Sequence, residues 1–407
     1  MLLTKWFGEN SDLKERRSAL ERYVSTLFEL IKAALEKNEP KTEELRALSN
    51  EELVSLYRLS KAHDLSHIVG EMLTRCEIPM EEALSSRFLK QQMLAVYRHE
   101  RLQDTYTRVC DLFEAQGIDH MPLKGAVIRP YYPEAWMRTS CDIDILVKEE
   151  DVDRAAELVG ETFGIKEHYG KSFHDVSLLL EGGVHLELHF NIIEEIEPMD
   201  TVLRTVWEHA ALKDGTSHCY LQTNAFLLFH LVAHNAYHFI KGGCGIRPFV
   251  DWWLLKKHLT VDEAELERLL RDASLLEFAC GMDDLCGVWF EGIEHTELTG
   301  QMEKFILGAG VYGSLENRVT VGRETSGGGL SYIFKRIFLP MKELKKLYPR
   351  LEKAPVLYPF YTVVRWFTVI FSGRGKKAAR EIKSSVARAD EYSADVARMC
   401  HDLHLIQ

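Results

Sequence analysis

The chain has 407 residues, of which 46% are hydrophobic and 28% charged, and a formal net charge of −12. This composition suits a folded protein of two or three domains and excludes a disordered chain or a fibrous repeat. The eight cysteines form no CxxC pair and no compact zinc spacing, so we expect reduced structural thiols. Because the N-terminus lacks the basic and apolar regions of a signal peptide, we expect a cytoplasmic protein.

The first part of the chain has helical periodicity. Leu20, Val24, Leu27 and Ile31 recur on one face of a helix, and similar patterns follow. We predict an N-terminal helical region over residues 1–116, built as a bundle of four or five helices.

Short apolar runs with strand character begin after Gly117. We predict strands at His120–Leu123, Asp142–Val147, Val176–Leu180 and Val184–Phe190, with one helix at Glu149–Phe163. Residues 117–200 are therefore predicted to form a small α/β domain.

Helical patterns return over residues 201–407, which we predict to form a C-terminal helical region. Within it, residues 331–385 hold thirteen Lys or Arg against three Asp or Glu, a net charge of about +10. Such a segment can meet an anionic partner, such as phosphate, nucleic acid or a membrane surface. The apolar stretch Val356–Phe371 contains Pro359 and Arg365 and is shorter than the ~20 residues of a membrane span, so we predict a buried or interfacial helix.

Two aspartates open the second predicted strand. Since side chains alternate along a strand, Asp142 and Asp144 share one face, while Ile143, Ile145 and Val147 face the core. Two carboxylates at this spacing can bind one or two Mg²⁺ ions.

The fourth predicted strand repeats this alternation. His185, Glu187 and His189 share one face, and Leu186 and Leu188 the other. If the two strands are neighbours, Glu187 becomes a third carboxylate ligand. Hard oxygen ligands predict Mg²⁺ or Mn²⁺ as the cofactor.

Phosphate-binding candidates precede the aspartates. Lys124 and Gly125 end the first predicted strand, where a cation and backbone amides can approach phosphate. Arg138 and Ser140 are close enough in sequence to face the same site, and Arg138 can offset phosphate charge.

The C-terminal helices supply further candidates. His230, His234 and His238 recur every four residues, and we interpret His234 as lining the site. Arg247 and Asp251 have the spacing of a helix salt bridge or an interdomain clamp, and both are possible site-lining residues.

Together these motifs resemble a known family. The chain is similar to the large family of uncharacterised bacterial nucleotidyltransferases, within the polymerase-beta-like superfamily. The likeness runs over roughly Leu94 to Trp366, and it is carried by the following segments: Leu123-Lys124-Gly125, Tyr131, Tyr132-Pro133, Met137-Arg138, Asp142 to Val147, His185 to His189, His234 to Asp251, Phe338-Leu339-Pro340, Tyr348-Pro349 and Leu357-Tyr358-Pro359.

The resemblance implies an α+β fold in which a small mixed-sheet nucleotidyltransferase palm is flanked by helical regions. It also implies two metal ions held by Asp142, Asp144 and Glu187, and an NTP such as ATP as substrate. The acceptor is left open between a small molecule, a protein and an RNA end. Two features depart from the family pattern: Gly125-Ala126 replaces Gly-Ser or Gly-Gly, and the aspartates follow Gly125 at a longer spacing than usual.

Two other functions stay open on the sequence. A mixed His/carboxylate metallohydrolase can be built from Asp142, His185, Glu187 and His189, with selectivity shifted toward Zn²⁺ or Mn²⁺. A non-catalytic nucleotide-binding or scaffold protein can retain the same fold. A haloacid-dehalogenase-type phosphatase fits poorly, because no hydrophobic strand precedes Asp142.

Overall fold

The computed structural model describes residues 11–324 except 312, residues 334–371 except 336 and 349, and residues 391–406. In this part of the chain, helices surround a five-stranded mixed sheet. The predicted mixture of helical regions with a small mixed sheet is confirmed at this level.

Residues 11–116 form five helices, where the helical periodicity predicts four or five. A capping box starts the third helix, because Ser49 and Glu52 each bond the other's backbone amide, and Gly117 ends the fifth in the left-handed conformation. The helices are α1 (Ser11–Glu36), α2 (Thr42–Arg46), α3 (Asn50–Ala62), α4 (Ser66–Arg75) and α5 (Glu82–Gln116).

The central sheet has the strand order β1-β2-β5-β4-β3. Strands β2 and β5 are parallel, and the other neighbours are antiparallel. Helix α6 (Gly125–Ile128) lies between β1 and β2 along the chain, and helix α7 (Val152–Phe163) lies between β2 and β3. The strands are β1 (His120–Pro122), β2 (Asp142–Val147), β3 (Ile165–Lys171), β4 (Asp175–Leu180) and β5 (His185–His189).

Three strands were not predicted. The edge strand β3 is mostly polar, contains Gly170 and has irregular register against β4, so it lacks the apolar alternation that marks a strand. Beyond the central sheet, β6 (Ala210–Leu212) pairs with β7 (Tyr220–Gln222), in a region predicted to be helical. Both are only three residues long, too short to show a period.

The two faces of the central sheet meet different surroundings. Ile143, Ile145 and Val147 join a hydrophobic cluster with Leu186 and Leu188, packed by α5 and α7. The opposite face carries the polar side chains of β2 and β5. The predicted alternation of the two strands is therefore confirmed.

The C-terminal helices and the N-terminal helices share one hydrophobic core. A single cluster of buried residues runs from Val24 of α1 to Leu403, and it includes Phe249 and Trp252. The helices are α8 (Met199–Leu203), α9 (Asn224–Ile240), α10 (Arg247–His258), α11 (Glu263–Asp272), α12 (Leu276–Cys286), α13 (Glu297–Leu307), α14 (Leu315–Glu324), α15 (Met341–Leu347), α16 (Arg350–Lys353), α17 (Tyr358–Phe371) and α18 (Glu391–Asp402).

The predicted basic segment is only partly described, since residues 331–333, 336, 349 and 372–385 lie outside the described part. The stretch Val356–Phe371 forms mainly α17, and its large apolar side chains include exposed ones, such as Val356, Phe360 and Phe367. Among the described residues, no helix combines the length and the hydropathy that crossing a membrane requires. No disulfide joins cysteines within the described part of the chain.

The inner face of β5 provides a test of the sheet packing. Replacing the fully buried Leu186 by alanine is expected to lower the free energy of unfolding by about 2–5 kcal/mol, through lost apolar contact and a residual cavity. Leu89 is 56% exposed, so Leu89→Ala should change it by less than about 0.5 kcal/mol. Urea denaturation monitored by circular dichroism measures both, and equal effects would contradict the described packing.

Candidate active site

The polar face of the sheet is produced by the register of β2 against β5. Asp142 lies opposite His185, Asp144 opposite Glu187, and Leu146 opposite His189. Since alternate residues of neighbouring parallel strands project to the same side, the two aspartates, Glu187 and the two histidines form one polar surface.

Two groups of potential metal ligands lie on this surface. Asp142, His185 and Glu187 form one, and Asp144, Glu187 and His189 form the other, with ligand atoms within 4.8 Å of one another in each group. Carboxylate oxygens and imidazole nitrogens at these separations fit a divalent cation. Each group contains a histidine, whereas the predicted ligand set consisted of Asp142, Asp144 and Glu187.

Asp144 lies close to both a lysine and a histidine side chain. Its Oδ1 lies 3.7 Å from Lys124 Nζ and 3.1 Å from His189 Nε2. Burial alone would raise the pKa of Asp144, but Lys124 and His189 hold it well below its ordinary value. Asp144 is therefore ionised. Burial and the neighbouring Asp144 raise the pKa of Asp142.

Lys124 approaches the carboxylates from a strained turn. Its φ of 43° and ψ of −112° are rare for a residue with a Cβ, and such strain costs ~1–3 kcal/mol. The Leu123 amide donates to the Asp144 carbonyl oxygen at 3.0 Å, which attaches the turn to β2. Burial alone would lower the pKa of Lys124, but Asp144, Glu194 and two other carboxylates raise it.

Gly125 is crowded by two guanidinium groups. A Cβ added there would lie 2.9 Å from Arg138 Nη1, 3.3 Å from Arg129 Nη2 and 3.5 Å from Ser140 Oγ. The longer spacing between Gly125 and the aspartates contains α6 and short 3₁₀ turns that return these side chains to the glycine. Ser140 thereby places a hydroxyl beside the turn, where the expected serine after Gly125 is missing.

Arg138 is held in a buried ion pair. Its Nη2 donates to Asp251 Oδ2 at 2.9 Å, and the Tyr132 hydroxyl donates to Asp251 Oδ1 at 2.6 Å. Burial alone would lower the pKa of Arg138, but Asp251 raises it. The charge of Arg138 is already balanced, so this arginine mainly connects the turn to α10.

The interpretation of Arg247 and Asp251 as a salt bridge within one helix is wrong. Asp251 pairs with Arg138, while Arg247 Nη1 donates to the Thr139 carbonyl oxygen at 2.9 Å and lies 3.8 Å from Asp64 Oδ2. Both residues therefore attach the Arg138–Ser140 segment to α10, Asp251 through Arg138 and Arg247 through Thr139. Burial and Asp144 raise the pKa of Asp142, and Lys124 and Arg247 oppose this rise.

Arg129 was missed by sequence reasoning. It is only 4% exposed, donates to Ser140 Oγ, and donates from Nε to the Arg138 carbonyl oxygen at 3.3 Å. Among the described residues, no carboxylate lies within ion-pair distance of it. Burial and then the neighbouring Arg138 lower the pKa of Arg129 to about 10, so it keeps its positive charge at neutral pH. In the sequence Arg129 directly precedes Pro130 and belongs to no recognisable motif.

Helix α9 brings His234 to the edge of the site, next to another missed residue, Glu194. His234 Nδ1 lies 2.8 Å from Glu194 Oε1, and His238 Nε2 lies 3.1 Å from His234 Nε2. Burial raises the pKa of Glu194, and Lys124 opposes this shift. His230 is turned away from this pair toward Gln222. Glu194 lies in the loop after β5, outside any periodic pattern.

Comparison with known proteins identifies the family. The family model described as uncharacterised nucleotidyltransferase matches residues 49–291, which is more than half of the chain. The chain belongs to this family. The resemblance inferred from the motifs is thereby confirmed. Comparisons with curated proteins and with solved structures gave no match.

Family membership supports a transferase and implies an NTP substrate. The matched residues contain every candidate site residue of the nucleotidyltransferase domain, together with α9 and α10. The match begins at residue 49, whereas the predicted likeness begins only at Leu94. The match ends at residue 291, before the segments Phe338-Leu339-Pro340, Tyr348-Pro349 and Leu357-Tyr358-Pro359. Those three segments lie outside the match.

The buried Arg138 and Asp251 pair provides a test of its structural role. Asp251→Ala leaves a buried guanidinium without its partner and should lower the free energy of unfolding by about 3–5 kcal/mol. Asp153→Ala removes the pair with Lys171, in which the side chains are 78% and 46% exposed, and should cost less than about 1 kcal/mol. Chemical denaturation measures both. Similar losses in the two variants would show that Asp251 is not a buried anchor.

Proposed function

We propose that the protein transfers a nucleoside monophosphate from an NTP to a hydroxyl or phosphate acceptor and releases pyrophosphate. One observation carries this proposal: Asp142, Asp144 and Glu187 lie on one surface, and Lys124 and Gly125 adjoin it. Carboxylates for a divalent ion and cations for phosphate are the two components that nucleotidyl transfer requires.

In this proposal Asp142, Asp144 and Glu187 hold divalent metal, Mg²⁺ or Mn²⁺, with His189 beside them. A divalent ion, when bound, offsets the charge of the triphosphate and lowers the pKa of the attacking hydroxyl. Asp144 is suited to this role because it is ionised under the influence of Lys124 and His189. Glu187 is partly exposed and can also accept the acceptor's proton.

Lys124 and Arg129 are proposed to hold the triphosphate. Lys124 pairs with Asp144 across 3.7 Å, so its ammonium group lies between the carboxylates and the turn. Arg129 lies at Gly125 with a charge that no described carboxylate balances at ion-pair distance, and guanidinium matches phosphate geometry. Because Gly125 has no side chain, Arg129 can approach the backbone of the turn closely, and a phosphate oxygen bound by Arg129 would lie near this turn. Ser140 Oγ and the Arg138 carbonyl oxygen accept hydrogen bonds from Arg129 and hold its guanidinium group in place.

Glu194 and His234 lie on the α9 side of the carboxylates and are proposed to face the acceptor. A partly buried carboxylate with a raised pKa is suited to accepting a proton from a hydroxyl group. Its contact with His234 at 2.8 Å fixes the orientation of both side chains.

A metallohydrolase is the second candidate function. It is favoured by the histidine in each potential ligand group, because imidazole suits Zn²⁺ and Mn²⁺ better than Mg²⁺. The two functions differ in their products. A transferase attaches the nucleotide to an acceptor and needs that acceptor, whereas a hydrolase transfers the same group to water.

The proposal predicts a metal-dependent release of pyrophosphate. Each labelled NTP is incubated with the protein, divalent metal and a cell extract as acceptor source, and pyrophosphate and labelled acceptor are quantified. Asp142→Asn/Asp144→Asn should reduce both by at least ~100-fold, since even losses of outer-shell groups reduce metal affinity or activity by ~10- to 100-fold. The matched control is Asp153→Asn, an exposed aspartate on α7. Equal pyrophosphate release by the double variant and the wild type would refute the proposed site.

The phosphate-binding role of Arg129 is tested separately. Arg129→Ala should raise the KM for the NTP about 10- to 100-fold, since a hydrogen bond to a charged group contributes ~1.5–3 kcal/mol. Arg129→Lys should recover part of this loss, and Arg268→Ala, which changes an exposed arginine, should leave KM unchanged. Thermal melting identifies variants that do not fold. A folded Arg129→Ala protein with wild-type KM would exclude the role.

A further inference from the structure

Glu187 directs its two carboxylate oxygens toward two different histidines. Oε1 lies 3.7 Å from His185 Nδ1, and Oε2 lies 3.4 Å from His189 Nε2. The residue thus lies between two imidazoles, one on either side of it along β5. This arrangement follows from the strand alternation, because residues two apart project on the same face.

Each histidine also has an aspartate of β2 close to it: Asp142 lies opposite His185, and Asp144 Oδ1 lies 3.1 Å from His189 Nε2. Asp142 completes the group with His185 and Glu187, and Asp144 completes the group with His189 and Glu187. Glu187 belongs to both groups, whereas each aspartate belongs to one. Each group therefore consists of one aspartate, one histidine and a carboxylate oxygen of Glu187.

The separations in the second group match those of ligands on a single ion. His189 Nε2 is 3.1 Å from Asp144 Oδ1 and 3.4 Å from Glu187 Oε2. With ligand distances of ~2.1 Å, neighbouring ligands lie about 3.0 Å apart in octahedral and about 3.4 Å apart in tetrahedral coordination. The His189 ring is also held in place, because it stacks on His174 with centroids 5.5 Å apart.

His185 has the outer contact that a metal-binding histidine normally has. Its Nε2 lies 2.7 Å from Ser177 Oγ on β4, so Nδ1 is the nitrogen that faces Glu187. A hydrogen bond from the distal ring nitrogen fixes the tautomer and the orientation of the imidazole in metal sites.

We infer that His185 and His189 are metal ligands, and that Glu187 bridges two ions, with Asp142 on one ion and Asp144 on the other. This adds two histidines to the three carboxylates of the proposed function and assigns one aspartate to each ion. A donor set of one nitrogen and several oxygens favours Mn²⁺ over Mg²⁺, because imidazole is a softer ligand than carboxylate. The inference concerns binding in the absence of NTP, so it does not depend on the group that is transferred.

The ligand atoms are tested spectroscopically on the wild-type chain loaded with Mn²⁺. Electron spin-echo envelope modulation detects nitrogen nuclei coordinated to Mn²⁺, and we expect the signature of imidazole nitrogen. Calorimetry should show Mn²⁺ binding about tenfold or more tighter than Mg²⁺. Mn²⁺ bound without nitrogen modulation would overturn the histidine assignment, whatever the activity of the protein.

The bridge is tested by counting the bound Mn²⁺ ions in variants. The wild type should bind two per chain, Asp142→Asn and Asp144→Asn one each, and Glu187→Gln should weaken both. His185→Ala and His189→Leu should each weaken one ion about 10- to 100-fold. His295→Gln, a change at a half-exposed histidine far from these strands in sequence, is the matched control. Loss of both ions in Asp142→Asn, with the fold intact by circular dichroism, would overturn the bridging role of Glu187 and show that Asp142 contacts both ions.

The two proposals fail in different ways. If Mn²⁺ binds with nitrogen ligands but no NTP is consumed, nucleotidyl transfer is wrong and the metal centre stands. If pyrophosphate is released but Mn²⁺ shows no nitrogen ligand, the reaction stands and the histidine assignment is wrong.

Discussion

The parallel pairing of β2 with β5 is the constraint on which the candidate site depends. Its register places Asp144 opposite Glu187 and Asp142 opposite His185. A slip of one residue would turn these side chains into the apolar cluster under the sheet and expose Leu186 and Leu188. The same apolar contacts that stabilise the sheet therefore also specify which side chains can meet on its polar face. Packing and chemistry are determined together here.

The site also depends on a balance of charge that the fold supplies from distant segments. Three carboxylates on two strands are opposed by Lys124 at a strained turn, and the pKa shifts of Asp144 and Lys124 are in opposite directions because each stabilises the charged form of the other. Arg138 lies nearby, yet Asp251 on α10 neutralises it. Arg129 also keeps its charge, but among the described residues no carboxylate lies within ion-pair distance of it. Neighbouring arginines thus differ in role because one of them has a buried acid within reach.

Part of this arrangement could be predicted from the sequence. Strand alternation placed Asp142 and Asp144 on the polar face of one strand, and Glu187 and His189 on the polar face of another. The family motifs identified Lys124 and Gly125. The alternation cannot specify that the two strands are neighbours in parallel register, since that depends on the whole sheet. Arg129 and Glu194 lie in a 3₁₀ turn and a loop, where no period exists. The partner of Asp251 could not be predicted either, because Arg247 has the right helical spacing and Arg138 is more than a hundred residues away.

The separation of β2 and β5 along the chain affects how the protein folds. His189 and Asp144 are 45 residues apart, and the helix α7 and the strands β3 and β4 lie between them. Closing a loop of this length costs entropy before any contact of the site forms, so we expect the polar face to assemble after the local helices and hairpins. Any ligand that binds across both strands therefore stabilises the long-range pairing by mass action and slows the opening of the sheet. The protein's resistance to unfolding is consequently a property of its ligand concentration as well as of its sequence.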